Sequence, residues 1–428
     1  MRSSPDNLRL LLVLTEFPPS IGGMQTHAFY LARHLVEAGH DIQVVTYHSV
    51  GSGSREALRS FDDALGFQVH RSLSRISYWH SIELLKRIAR EFQPDLIYCS
   101  TVFYGLLRDS VEVPIVCRSV GNDVLRPWIA YPFQLGSRLL GISGLDNWAY
   151  GMFRRMNSPE WVEVLLEKKR RALVERSVQW IDIVIANSNF TASLFDDMGV
   201  DRDRVRVLVG GVDARRFEPN GNKELSLRRE LGIAEDAYVI VTVCRLVAKK
   251  GVDFLLRAFP TVQDLVPNAH LLIVGDGKDR KYCRRLAQEL ELDRVTFAGR
   301  VDHLQVQRYY WLSNLFVLAS RVQVNPVTNR RDAETMGRVL CEANAAGIPV
   351  IASRSGGIPS VITHGQNGLL FDSDDEDDFL NQIRAVWSDP TLTRSLTEAG
   401  LKIASRRFDW SVVHQAHESY FKEVVSTL

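Results

Sequence analysis

At 428 residues the chain exceeds the size at which one hydrophobic core usually stops growing, so two domains are expected. With 45% hydrophobic and 24% charged residues it has the composition of an ordinary globular protein. Its 52 basic and 51 acidic side chains nearly cancel, which removes the electrostatic case for a dedicated nucleic-acid binder and requires any anionic ligand to be held by local groups.

Short β-branched runs alternate with longer amphipathic stretches, the pattern of βαβ units on parallel sheets, so the fold class is α/β. In the first half the runs Leu8–Leu14, Ile42–Thr46, Leu96–Cys99, Pro114–Arg118, Ile181–Ala186 and Val205–Val209 read as strands. Met24, Ala28, Leu31 and Leu35 recur at helical spacing before Gly39, so the first unit is strand, glycine loop, helix. The stretch of about 124–175 breaks the alternation: it carries Trp128, Tyr131, Phe133, Trp148, Tyr150, Phe153 and Trp161, then the basic run Lys168-Lys169-Arg170-Arg171, and reads as a helical insertion. The second half repeats the plan with Tyr238–Cys244, His270–Val274, Val295–Phe297, Leu315–Leu318 and Pro349–Ala352. Between the halves, Gly210-Gly211-Val212-Asp213 and Phe217 to Asn222 form a turn-rich stretch, which sets a domain boundary near 218.

Cys99, Cys117, Cys244, Cys283 and Cys341 are odd in number and form neither a C-x-x-C pair nor a zinc pattern, and the eleven histidines show no ligand spacing. A reduced cytoplasmic chain without a metal site is the expectation. The apolar run Leu10–Leu14 is too short for a signal peptide, and no stretch approaches the ~18 apolar residues of a spanning helix.

Four constellations can carry chemistry. Gly22-Gly23 lies between the first strand and the first helix, where a bare backbone lets a phosphate approach the helix N-terminus; the same pair suits a tight turn. Arg245 and Lys250 flank the loop after the first strand of the second half, a guanidinium and an ammonium that together suit a diphosphate, or else a solvated basic loop. In Glu334-Thr335-Met336-Gly337-Arg338-Val339-Leu340-Cys341-Glu342 a helix starts near Gly337. The N–H groups of Gly337, Arg338 and Val339 suit an anion, and Glu334 and Glu342 suit sugar and ribose hydroxyls. Either acid alone is also explained by the helix dipole or an exposed face. Finally, Gly275-Asp276-Gly277 and Ser355-Gly356-Gly357 follow strands, at the rim where open α/β sheets bind ligands. The D-x-D spacings in Asp201–Asp203 and Asp372–Asp378 read as solvated turns and helix starts.

Taken in order, these segments resemble the retaining GT-B enzymes of glycosyltransferase family 4. The match runs from Pro18-Pro19 and Gly22-Gly23 through Ala186-Asn187-Ser188, Gly211-Val212-Asp213, Arg245 to Lys250-Gly251, Glu334 to Glu342 as E-x7-E, Ser355 to Pro359, and Asn367-Gly368. The resemblance implies two Rossmann-like domains facing across a cleft: 1–217 for the acceptor, 218–410 for the donor, and a final helix of about 411–428 packing back on the first. It implies that Gly23, Arg245 and Lys250 hold the diphosphate, Glu334 the donor sugar and Glu342 the ribose. The implied reaction transfers a hexose-type sugar from a nucleoside diphosphate sugar, uridine ahead of guanosine, to an acceptor hydroxyl of a glycan, a lipid-linked glycan or a small metabolite, with retention and without metal or other cofactor. The aromatic and basic insertion suits peripheral contact with the inner face of a membrane, or else the packing of a larger helical subdomain around a small soluble acceptor. Where many members carry His-Gly-x-Asp, this chain has Val120-Gly121-Asn122-Asp123, so Asn122 and Asp123 are either the polar contacts from that loop or residues that form the turn around Gly121. Two rivals are weighed. A dinucleotide oxidoreductase needs G-x-G-x-x-G after a strand, which neither glycine loop supplies. A nucleotide-sugar-binding protein without transfer is kept alive by Val120 and opposed by Arg245, Lys250, Glu334 and Glu342.

Overall fold

The computed structural model describes residues 7–19, 23–47, 55–129, 160–221, 224–325 and 331–427. The chain forms two compact units: Met1–Asn187 with Thr191–Leu208 and His414–Leu428, and Ser188–Phe190 with Val209–Val413. The unit changes at Leu208/Val209, earlier than the boundary expected near 218, because Val209, Val212 and Phe217 are buried in the second core.

The first unit holds β1 (Arg9–Leu14), β2 (Asp41–Tyr47), β3 (Gln68–Leu73), β4 (Leu96–Cys99), β5 (Ile115–Ser119), β6 (Ile183–Ala186) and β7 (Val205–Val207). They form one sheet in the order β3-β2-β1-β4-β5-β6-β7, and every pairing is parallel. Strands such as β1 and β4 read as unbroken apolar runs because both faces are buried. β3 escaped the sequence reading: QVHRSL lies at the sheet edge, half-exposed, so its polar residues hide the pattern. The part of the insertion that is described is helical at Glu160–Val178, and its last turns belong to the unit's core: Leu173, Val174 and Val178 are buried. Ser177 ties that helix down, donating to the Val102 carbonyl at 2.7 Å and accepting from the Gly105 N–H at 2.8 Å. Tyr131, Phe133, Trp148, Tyr150 and Phe153, and the side chain of Trp161, lie outside the described residues.

The second unit holds β8 (Tyr238–Val243), β9 (Ala269–Val274), β10 (Val295–Gly299), β11 (Leu315–Leu318), the short antiparallel pair β12 (Gln323–Val324) and β13 (Arg331–Asp332), β14 (Val350–Ser353) and β15 (Leu369–Phe371). Its main sheet runs β10-β9-β8-β11-β14-β15, again parallel throughout. β15 and the β12–β13 pair were not expected; runs of two or three residues are too short to show a period. In both units the order reverses between the first strand and its inner neighbour, β1 against β4 and β8 against β11. This leaves a crevice at the carboxyl ends where α/β sheets take ligands.

The helix Trp410–Ser426 leaves the second unit and enters the first. Phe421 and Val424 are buried there with Leu12, Tyr98 and Ile185.

Candidate functional site

The loops at the carboxyl ends of β8, β11 and β14 are drawn together by backbone contacts only glycine permits. A Cβ on Gly251 would stand 1.9 Å from the Ala319 carbonyl oxygen, just past β11, and one on Gly357 the same distance from that of Thr335. The Gly357 N–H donates to the Glu334 carbonyl at 2.8 Å. The segment Ser188–Phe190 closes the same group: Ser188 donates to the Thr335 carbonyl at 2.5 Å, and the Asn189 N–H to Ser360 Oγ at 2.9 Å.

At this junction Lys250 Nζ is in direct contact with Glu334 Oε2, both side chains being largely buried. Burial alone would raise the pKa of Glu334, but Lys250 first, then Lys249 and Arg245, outweigh it and hold the carboxyl below its ordinary range. The acid is therefore an anion held by cations. Lys249 is buried beside it, donating to Asp332 Oδ1 at 2.8 Å and to the Ala333 carbonyl at 2.9 Å. Arg245 differs: its side chain is exposed and makes no hydrogen bond or ion pair among the described residues. Two fixed ammoniums and one free guanidinium thus share a rim. A diphosphate reaching Lys250 would compete with Glu334 for it.

The helix Arg338–Ala345 starts at Gly337, whose φ of 86° is the left-handed region that favours glycine. The N–H groups of its first turn, Arg338 and Val339 included, have no partner within the helix. Glu342 is buried on this helix, not on an exposed face. Its carboxylate accepts from the Tyr310 hydroxyl at 2.9 Å and lies 3.3 Å from Arg338 Nε. Burial, then the neighbouring Glu342, push the Tyr310 phenol well above its usual range, so it stays a donor. His303, 3.3 Å from Arg216, is held below the usual histidine range by burial and then by Arg338.

In the first unit, Gly23 opens the helix Gly23–Glu37, and Gly22 lies outside the described residues. Asn122 is half-buried at the start of a single helical turn after β5. Asp123 departs from expectation. It is fully buried, with Oδ1 accepting from Ser119 Oγ at 2.7 Å and Oδ2 from the Val102 N–H at 3.3 Å. No carboxylate oxygen is left facing solvent, so a polar contact from this turn falls to Asn122. Burial lifts the Asp123 carboxyl to about 6 despite these donors.

The sequence reading assigned no site role to Lys249, Asp332, Tyr310 or Ser188, although Ser188 stands in one of the segments that carry the resemblance. The doublet Lys249-Lys250 was visible, but adjacent lysines in a loop look like one solvated patch. The others are ordinary residues whose importance comes only from what the fold sets beside them. The acidic run does form a helix start, Asp375 accepting from the Asp378 N–H at 2.9 Å. Among the described residues no group of three or more His, Cys, Asp or Glu could hold a metal ion, and no helix is long and apolar enough to cross a membrane.

Two family models match in tandem: a glycosyl transferase 4-like domain over residues 22–211 and glycosyl transferases group 1 over residues 224–403. A GDP-mannose-dependent alpha-(1-6)-phosphatidylinositol monomannoside mannosyltransferase of Mycobacterium tuberculosis is 26% identical over 408 residues, covering 95% of this chain and 96% of that one. The N-acetyl-alpha-D-glucosaminyl L-malate synthase of Bacillus anthracis is 23% identical over 412 residues, 95% of each chain. The crystal structure of Anabaena Alr3699/HepE in complex with UDP-glucose aligns over 98% of this chain and 100% of that one, with a TM-score of 0.67 at 20% identity. The mycobacterial name carries a guanosine donor, so the expected preference for uridine draws no support from it. The chain belongs to glycosyltransferase family 4, with the GT-B fold of two Rossmann-like domains.

Proposed function

We propose that the chain moves a hexose-type sugar from a nucleoside diphosphate sugar to an acceptor hydroxyl with retention at the anomeric carbon. The observation that carries this is the Lys250–Glu334 contact at the β8/β11 reversal, with Arg245 exposed on the same loop. Arg245, Lys250 and the helix start at Gly337, Arg338 and Val339 hold the diphosphate. Glu334 orients the sugar and Glu342 the ribose. The bond from the anomeric carbon to the phosphate oxygen breaks, and the nucleoside diphosphate leaves with the electron pair. The acceptor oxygen bonds to that carbon on the same face, and its proton passes to the departing phosphate oxygen. Charge grows on the diphosphate as the bond breaks, so cations fixed beside it favour the transition state over the ground state. This reading needs no metal ion.

GDP-mannose is the first donor to try, on the name of the mycobacterial relative, with UDP-glucose against it. The acceptors in the relatives' names are a phosphatidylinositol monomannoside and malate, both of which offer hydroxyls. Lys168, Lys169 and Arg171 are exposed on one helix with Val164 and Leu165, which supports acceptor capture at an anionic membrane surface. The test is transfer by the purified chain from each donor to phosphatidylinositol-type lipids and to small hydroxy acids, with nucleotide release and anomeric configuration read by NMR. Nucleotide-dependent thermal stabilisation without release from any donor would favour a binding protein instead.

A further inference from the structure

We propose that Lys249 is a positioning residue for Glu334. Its ammonium is clamped on the Asp332 carboxylate and the Ala333 carbonyl, which fixes the chain that presents the Glu334 carboxylate to Lys250. The inference rests on the function proposed above and adds a residue that it does not use.

Ala248–Lys250 form one tight turn, so the two lysines leave the same piece of backbone and grip consecutive parts of another: Lys249 takes residues 332 and 333, Lys250 takes 334. The turn itself is anchored. The Arg321 N–H donates to the Lys249 carbonyl at 2.8 Å and Arg321 Nε to the Ala248 carbonyl at 3.2 Å. The Arg321 guanidinium in turn holds both oxygens of Asp253, at 2.6 and 2.7 Å. A continuous line of polar contacts therefore runs from Asp253 through Arg321 and the lysine turn to the segment bearing Glu334.

A buried ammonium is costly to desolvate and is retained only where its partners are well placed. The Lys249 side chain is 8% exposed and that of Asp332 14%, so their charges cancel inside the protein. That separates Lys249 from Arg245, which is exposed on the same loop and open to a ligand. The segment Lys249 grips also needs a hold. Between β11 and Glu334 the chain makes the excursion that carries β12 and β13, and the Lys249–Asp332 pair ties down its return strand beside Glu334. Lys249 also adds to the field that keeps Glu334 ionised.

The experiment compares Lys249→Met, Lys249→Arg, Asp332→Asn and the double variant with Lys250→Ala and Glu334→Gln. Lys249→Met and Asp332→Asn are each expected to lower kcat about tenfold or more, about 1.4 kcal/mol of barrier. Affinity for the bare nucleoside diphosphate should stay within about twofold, the double variant should be no worse than either single, and Lys249→Arg should restore most of kcat. The acid limb of the kcat–pH profile should move to higher pH in Lys249→Met, because a cation beside Glu334 is gone. Full kcat in folded Lys249→Met and Asp332→Asn overturns the proposal. So does a loss of nucleotide affinity matching that of Lys250→Ala, which would make Lys249 a ligand of the diphosphate. If Lys249→Met does not fold, Asp332→Asn and Lys249→Arg carry the same comparison. Failure of the underlying reading is distinct: wild type would then transfer nothing, or Glu334→Gln would remain fully active.

Discussion

The two ends of the E-x7-E motif carry the same side chain in different surroundings. Glu334 faces ammoniums, and Glu342 faces a phenol and a guanidinium on its own helix. Glu334→Gln is expected to cut turnover more than affinity for the bare nucleoside diphosphate, since that ligand has no sugar to orient. Glu342→Ala should weaken the bare nucleotide too; equal effects of both changes on both ligands would remove the division of roles. Arg245→Ala should lower donor affinity by about 1.5–3 kcal/mol at unchanged stability, the range for a hydrogen bond to a charged group. Lys250→Ala should lose stability as well, because Glu334 is left largely buried without the cation it touches. Asp123→Ala strips the partner from a buried hydroxyl and a buried N–H, so about 1–3 kcal/mol of stability should go in a denaturant titration. The residue types at the site were legible because charge on a loop after a strand is rare enough to notice. Their partners were not, since nothing local marks Tyr310 as the residue that meets Glu342.

At the scale of elements, the docking of the Trp410–Ser426 helix on Gly23–Glu37 is rich in histidine. The His27 ring centre lies 5.0 Å from that of His417 and 5.5 Å from that of His414, and His34 lies 5.9 Å from His414. Tyr98 of β4 approaches His27 at 3.3 Å, and Arg118 of β5 adds a like charge. Glu418 meets His34 at 2.8 Å, His40 at 3.5 Å and Lys422 at 2.7 Å. Burial, then the neighbouring charges, hold His27 far below the usual histidine range and His414 down at about 2. Burial likewise lowers His40, despite Glu418. Below the unfolded value of about 6.5 the unfolded chain binds protons that the native state refuses, so stability falls by up to ~1.4 kcal/mol per pH unit for His27 and for His414, and His40 adds a smaller loss in the same direction. Asp123 works the other way: its raised carboxyl takes up a proton in the native state first, so it adds stability as pH falls through about 6 toward the unfolded carboxyl range. His27 and His414 outweigh that one acid, so urea unfolding at pH 7, 6 and 5 should show a net loss, with a shallower slope in His414→Gln. A pH-independent midpoint would refute the balance. The central parallel strands were readable because burial on both faces leaves an unbroken apolar run, whereas edge strand β3 and three-residue β15 had neither the run nor the length. That histidines of residues 27 and 414 would meet is a fact of topology alone.

For the whole molecule, a nucleoside diphosphate held by Arg245, Lys250 and the Arg338 helix contacts the second unit alone on that list. Hydrogen exchange should therefore slow at 245–251 and 334–342, and ligand at about one hundred times Kd should add about 2.7 kcal/mol to that unit's stability. Protection confined to other loops would displace the site. The tandem plan was visible in the repeated strand–helix alternation, and the family resemblance implied that the final helix returns to the first unit, although alternation by itself gives no hint of where a chain returns. That return has a consequence during synthesis. When Leu208 leaves the ribosome, the first unit lacks Phe421 and Val424, and the surface of Leu12, Tyr98 and Ile185 that they cover has no partner. The whole of Val209–Val413 must be translated first, roughly 10–40 s at ~5–20 residues per second. The unit made first is thus completed last, and a nascent chain stalled in the second unit presents an unfinished apolar face to chaperones or to its neighbours. A chain ending at Leu208 should aggregate, and a peptide of residues 414–428 supplied in trans should restore its solubility.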